Sequence, residues 1–176
     1  VDEPTLVYEQ SRVFLKGRLF RQGLQQMERV AELDPRNLLA RISLSDLYSA
    51  LGRTKHAMQL QQAIRDQPKV VELNPTNEFD LIRAEVNTLF LDSQRDAAVA
   101  KLAEALRRPS IPPTFRAAAI DLYLRNGIAE PALPLLDKVL DERPDDVLAL
   151  GQHGFACLQV ERYKDARTSL DKALEL

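Results

Sequence analysis

The chain has 176 residues, 45% hydrophobic, 28% charged and 6% aromatic, which is the balance of one folded domain of ordinary size and excludes a disordered or membrane-spanning polymer. Its 24 lysines and arginines stand against 26 acidic residues, so the net charge of −2 lacks the basic excess that a phosphate backbone demands and disfavours nucleic acid as a partner. The single Cys157 can form no internal disulfide, and no apolar run reaches the roughly 20 residues of a bilayer span.

Apolar residues recur at helical spacing along the whole chain, in stretches of about 13 residues parted by a glycine or a polar turn. In chain order this predicts helix pairs at 4–17 and 19–33, 38–51 and 54–67, 77–91 and 94–107, 113–126 and 129–142, and 147–160 and 163–175. Leu33-Asp34-Pro35, Leu73-Asn74-Pro75, Pro109 and Pro144 punctuate the pairs at separations of 40, 34 and 35 residues. Proline stops a helix by removing a donor and clashing with the preceding turn. A period near 34 is therefore that of a repeated helical hairpin. Pro131 and Pro134 fall near the start of the fourth second-helix, where a missing N–H costs least, and read as initiation. The second repeat carries about six surplus residues around Gln67–Glu72, which predicts a break at Pro68 and a short extra turn. In the third repeat Thr88 stands where the other units favour an aromatic, and Ala98, Leu102 and Ala105 read as one residue out of phase.

Within the units the residue types also repeat. Tyr123, Gly127, Ala132, Leu136 and Val139 precede Pro144, and Phe14, Gly23, Met27 and Val30 precede Pro35 in the same order. Ser45, Tyr48, Gly52 and Ala57 follow Pro35, and Gly154, Cys157, Tyr163, Ala166, Leu170 and Ala173 close the chain. Small residues in both helices let the pair approach closely while larger ones fill the remaining space. On these residues the chain resembles the tetratricopeptide repeat (TPR) family over nearly its whole length. The resemblance implies an all-α superhelix of about five repeats, at 4–37, 38–77, 78–112, 113–146 and 147–176, forming a single domain over 1–176. Val1 in place of methionine, and Leu176 inside a periodic segment, predict that the sequence is a piece of a longer protein.

Chemistry is sparse. His56 and His153 are the two histidines and lie on different repeats, no Cys or His pair has zinc-ligand spacing, and the six glycines are scattered singly rather than gathered in a phosphate loop. Cys157 reads as a small core residue. The acidic run Asp141–Asp146 reads as a helix cap at Asp145 or Asp146 ahead of Val147 rather than as a calcium loop. No catalysis, cofactor or metal is expected.

Function is then expected of the surface. The resemblance implies that the first helix of each pair lines a concave groove that holds a partner protein or peptide. Its candidates are Tyr8, Arg12 and Lys16; Ser43, Asp46 and Ser49; Arg83, Asn87 and Phe90; Asp121 and Arg125; and Gln152, Phe155 and Gln159. The Lys and Asn set of the family's chaperone-tail clamp is absent, since Tyr8, Arg12 and Ser43, with Phe79 and Arg83 further on, occupy the matching positions. The reading is a non-catalytic interaction scaffold, alternatively a structural spacer or oligomerisation arm that can self-associate through its end repeats. Arginine outnumbers lysine by 17 to 7, as in a GC-rich bacterial gene, and irregular arrays of this kind are similar to those of bacterial envelope proteins that organise exopolysaccharide export or secretion.

Overall fold

The computed structural model describes residues 3–66 and 75–176. Among them the chain forms ten α-helices and no strand: α1 (Glu3–Lys16), α2 (Phe20–Leu33), α3 (Leu38–Ala50), α4 (Thr54–Arg65), α5 (Pro75–Leu91), α6 (Arg95–Leu106), α7 (Pro113–Arg125), α8 (Leu133–Glu142), α9 (Val147–Gln159) and α10 (Tyr163–Glu175). The bounds match the expected pairs closely everywhere except at α8. The expected break at Pro68 and its extra turn lie outside the described residues.

The repeat is written in the backbone. One residue in each hairpin turn has a left-handed φ, namely Arg18 at 59°, Gly52 at 73°, Ser93 at 62°, Gly127 at 65° and Glu161 at 61°. The amide of the next residue reaches back over the last helical turn in every case: Leu19 to Phe14, Arg53 to Tyr48, Gln94 to Leu89, Ile128 to Tyr123 and Arg162 to Cys157, at 2.8–2.9 Å. This is the Schellman closure, which satisfies carbonyls that the helix end leaves orphaned and reverses the chain at once. The five turn residues are 34, 41, 34 and 34 positions apart.

That register corrects two expectations about the third repeat. Leu89, not Thr88, is the counterpart of Phe14, Tyr48 and Tyr123, because each accepts the closing bond of its own turn. Ala98 lies five residues after Ser93, as Gly23, Ala57, Ala132 and Ala166 follow their own turn residues, so Ala98 and Leu102 are in phase. All five of these small residues are buried. In the partner helix Gly154 is indispensable to this approach, since a Cβ there would stand 2.5 Å from Leu170 Cγ.

Two compact units divide the chain, Val1–Ser110 and Ile111–Leu176. In the first, α1 to α6 stack through successive apolar clusters. Val7, Val30 and Ala40 join α1, α2 and α3; Leu24, Met27, Leu44 and Leu47 join α2 to α3; and Leu38, Ile42, Ile64, Leu81 and Ala84 join α3 and α4 to α5. A buried polar lattice runs beside the last cluster. Ser49 and Thr88 hydroxyls lie 2.7 Å apart, the Gln61 amide donates to Thr88 at 2.8 Å, and Thr88 itself donates to the Ala84 carbonyl. Glu85, almost wholly buried, is held by Arg65 at 2.6 Å from α4 and by Lys101 at 2.8 Å from α6. Satisfied polar groups of this kind fix which side chains can face each other, because an unmatched one would be left dry and unpaired.

In the second unit α8 starts at Leu133, four residues later than expected. Pro131 and Pro134 supply no N–H, so a single turn closes at Ala129, which accepts from Ala132 and Leu133, before the regular helix begins. Pro131 therefore precedes the helix, while Pro134 is its second residue and sits in the first turn as expected. Shortened, α8 meets α7 sparingly and packs mainly on α9, which in turn packs closely on α10. Asp146 caps α9 by accepting from the Ala149 amide at 3.0 Å, as Asn37 caps α3.

Candidate functional site

In the first unit the expected face lies along α3 and α5, and two of its residues are brought together. Arg83 donates to Asp46 at 2.6 Å across the repeat boundary, both side chains about a third exposed. The second carboxylate oxygen of Asp46 is buried and has no hydrogen-bond partner among the described residues. Burial pushes the Asp46 carboxyl above its ordinary value, Arg83 pulls it back, and Asp80 adds a smaller upward push. Ser43, Asn87 and Phe90 are half-buried. Asn87 lies one helical turn beyond Arg83.

Other members of the expected groove are placed differently. Ser49 is buried between α3 and α5 on Thr88, so it is part of the joint between repeats and not of a groove. Tyr8 is half-buried and packs on the two clusters that join α1 and α2 to α3, an anchor more than a contact surface. Lys16 is exposed in the last turn of α1, where a cation suits the helix dipole. Arg12 is within α1, and its side chain lies outside the described ones.

In the second unit Asp121 and Arg125 pair with each other at 2.8 Å, one turn apart on the exposed side of α7. Gln152 is half-buried, whereas Phe155 and Gln159 are exposed on α9. Gln152 borders a cleft of about 350 Å³ between α7, α8 and α9. Ile120, Leu136, Val139 and Ala149 make it apolar, Leu148 stands at its edge with most of its side chain in solvent, and Arg116 is drawn against Glu142 at 3.0 Å on the wall. From α8 it is lined by Leu136, Val139 and Glu142, all beyond Pro134. Sequence reasoning missed Arg116 and Leu148 because the spacing of Leu148 is compatible with either side of α9, and only the packing of α8 on α9 decides which one opens.

The structure also gathers a polar cluster that the sequence scattered. His153 Nδ1 lies 2.7 Å from Ser169 Oγ, its Nε2 lies 3.2 Å from Asp137 Oδ1, and Cys157 Sγ is 3.7 Å from both ring nitrogens. The residue types are those of a nucleophile, base and orienting acid, but His153, Ser169 and Cys157 are all buried. The nearby cleft of about 350 Å³ formed by Glu130, Leu133, Pro134, Asp137, Val160 and Arg162 touches Asp137 alone of the four. Burial pushes the Cys157 thiol up, away from the reactive thiolate. The cluster ties α8, α9 and α10 together. The other histidine, His56, is exposed and rests on the Tyr48 ring at 5.6 Å.

No protein-family model and no curated protein matches the chain. Solved structures match it over nearly its full length. A putative kinesin light chain of Podosopora anserina with nearly identical TPR-like repeats aligns with a TM-score of 0.73 at 16% identity, covering 99% of this chain and 96% of that one. MamA residues 41 to the end from Desulfovibrio magneticus RS-1 align at 0.64 and 18% identity, covering 100% and 96%, and a further MamA crystal structure at 0.61 and 17%, covering 98% and 90%. At these identities the likeness is one of fold: the chain is a TPR-like array of helical hairpins.

Proposed function

We propose that the chain is a non-catalytic scaffold that holds a partner protein or peptide on the face made by its first helices. The observation that carries this reading is the α7–α8–α9 cleft, apolar in its floor and polar at its rim, which is the arrangement that seats one apolar anchor side chain while fixing its direction. The Asp46–Arg83 pair, about a third exposed, with Asn87 one turn beyond Arg83, supplies a polar counterpart on the same series of helices in the first unit. A bacterial envelope assembly is the setting we propose from the arginine-rich composition and the irregular repeats, and it is tested by fractionating cells that make the protein.

The binding reading is tested with peptides selected from a random display library on the immobilised chain, then titrated against Leu148→Asp and Arg83→Glu. Peptides with an apolar anchor should bind, and Leu148→Asp should weaken them about tenfold or more by placing a charge at the cleft edge. Peptides that bind both variants as they bind the parent would move the site off this face. If selection yields nothing above background, the alternative of a structural spacer takes its place.

A further inference from the structure

The joint between neighbouring hairpins of an array is a packed core, built at each boundary from the same positions of the repeat. Where α5 stacks on α3 and α4, that core is the buried cluster of Leu38, Ile42, Ile64, Leu81 and Ala84. Counted from the turn residues Gly52, Ser93, Gly127 and Glu161, the counterparts where α9 meets α7 and α8 are Pro113, Ala117, Val139, Ala149 and Gln152. All five line the α7–α8–α9 cleft. Four of them are smaller than the residue that fills the first joint, and the changes from Ile42 to Ala117 and from Leu81 to Ala149 each remove three carbons. Pro113 and Ala117 are exposed and Val139 and Gln152 half-buried, whereas Leu38, Ile42, Ile64 and Ala84 are at most 7% exposed.

The floor changes the other way. Ser45 and Gln61, which meet in the polar lattice of the first joint, correspond to the buried Ile120 and Leu136. The cleft is therefore apolar at its base and short of aliphatic carbon at its walls. Its charges are matched within the chain, Arg116 with Glu142 and Arg143 with Asp146 at 2.9 Å. A charged side chain entering it would give up water without gaining a counter-ion. Gln152 places a side-chain amide where the first joint has the methyl group of Ala84. An amide offers both a donor and an acceptor, the complement of a peptide group and not of a bare hydrocarbon.

We propose that the occupant of this cleft is a leucine or isoleucine side chain of a partner peptide, seated where Ile42 and Leu81 stand in the first joint, with Gln152 holding the peptide group beside it. The inference rests on the reading of the first-helix face as a binding surface and names what that surface selects. Alanine would leave the walls without contact, and lysine would bring a charge that the walls do not match.

N-acetyl-leucine methylamide tests this on the whole chain, with the alanine and lysine methylamides beside it and the NMR methyl resonances of Ala117 and Ala149 as the readout. The leucine compound should move both resonances with a millimolar dissociation constant, ordinary for a ligand of about 13 non-hydrogen atoms. The alanine and lysine compounds should bind about tenfold or more weakly. This comparison needs no variant. Ala117→Ile, which restores the residue of the first joint at an exposed position, should keep the helical circular dichroism spectrum and weaken the leucine compound about tenfold or more, read at Ala149. Gln152→Ala should weaken it about threefold or more while keeping the preference for leucine over alanine. Leucine and alanine compounds that bind alike would overturn the proposal, as would a leucine compound that moves neither resonance. So would the same shifts on concentrating the protein alone, the mark of a second copy as occupant. Display-selected peptides separate this inference from the reading beneath it. Peptides weakened by Leu148→Asp that bind Ala117→Ile as they bind the parent would overturn the inference and leave the scaffold reading standing, whereas peptides indifferent to both substitutions would overturn both.

Discussion

Two glycines on one helix show how little residue type alone says about a position. Gly151 and Gly154 are three residues apart in α9, yet a Cβ on Gly151 would meet nothing within 4 Å and one on Gly154 would overlap Leu170 at Cγ and Cδ2. Glycine in a helix interior costs about 0.5–1 kcal/mol relative to alanine through the freedom it has in the unfolded chain. Gly151→Ala should therefore raise the stability of the dilute protein by about that amount. Gly154→Ala must push Leu170 off its rotamer or part α9 from α10, and should lower stability by about 1–3 kcal/mol. Urea denaturation of the two variants at low concentration checks both signs, and a Gly154→Ala protein as stable as the parent would mean that α9 and α10 pack in another register.

At the scale of elements, the α3–α5 joint carries a titration that its chemistry makes visible. The Asp46 carboxyl is held above its ordinary value near 3.8, chiefly by burial, so the folded chain grips this proton more tightly than the unfolded one. The contribution of the group to stability is then fully present below that ordinary value and is lost as pH rises through the higher folded value. Asp46→Asn removes the slope. Measured from about pH 3 to pH 6, the parent should lose ground against Asp46→Asn as pH rises, and a parent that gains ground instead would show that Arg83 outweighs the desolvation of its partner. The elements on both sides of this joint were legible in the sequence because apolar periodicity and four prolines bound them. Their phase in the third repeat was not, since Leu89 stands where Phe14, Tyr48 and Tyr123 close the turns of three other units, and without an aromatic nothing local separates it from the adjacent Thr88. Thr88 then passed for a degenerate aromatic position, when it is the hub on which Ser49 and Gln61 meet. The delay of α8 escaped notice for a similar reason, because two prolines three residues apart can open a helix or postpone it, and only the packing of Leu136 onto the core selects between them. Asp46 and Arg83, expected on one face from their place on the first helices, are paired across α3 and α5. Ser49 was assigned to the same face because helical spacing cannot tell a groove from the seam beside it.

On the scale of the whole molecule, stability in a repeat array is a sum of hairpin terms and terms between neighbours, so damage need not spread evenly. The two compact units, Val1–Ser110 and Ile111–Leu176, differ in how they are tied. Among the described residues the first has apolar clusters in series and the buried Ser49–Thr88–Gln61 lattice; the second buries Phe115, Ile120, Leu122, Tyr123 and Leu136, and adds the tight α9–α10 pair and the His153 cluster to a sparsely packed α7–α8 hairpin. Ala166, buried to 1% exposure where α10 meets α9, is a position from which this difference can be read. Ala166→Leu adds three carbons where none fit and should cost about 1–3 kcal/mol. If cooperativity is local, hydrogen exchange resolved by mass spectrometry will show amides of α9 and α10 losing protection by about tenfold or more, while those of α3, α4 and α5 keep theirs. A uniform loss across all ten helices would instead make the chain a single cooperative unit despite its two-part packing. The local outcome has a functional corollary, because a second unit that opens on its own can loosen the α7–α8–α9 cleft around an incoming side chain without unfolding the hairpins that carry Asp46 and Arg83.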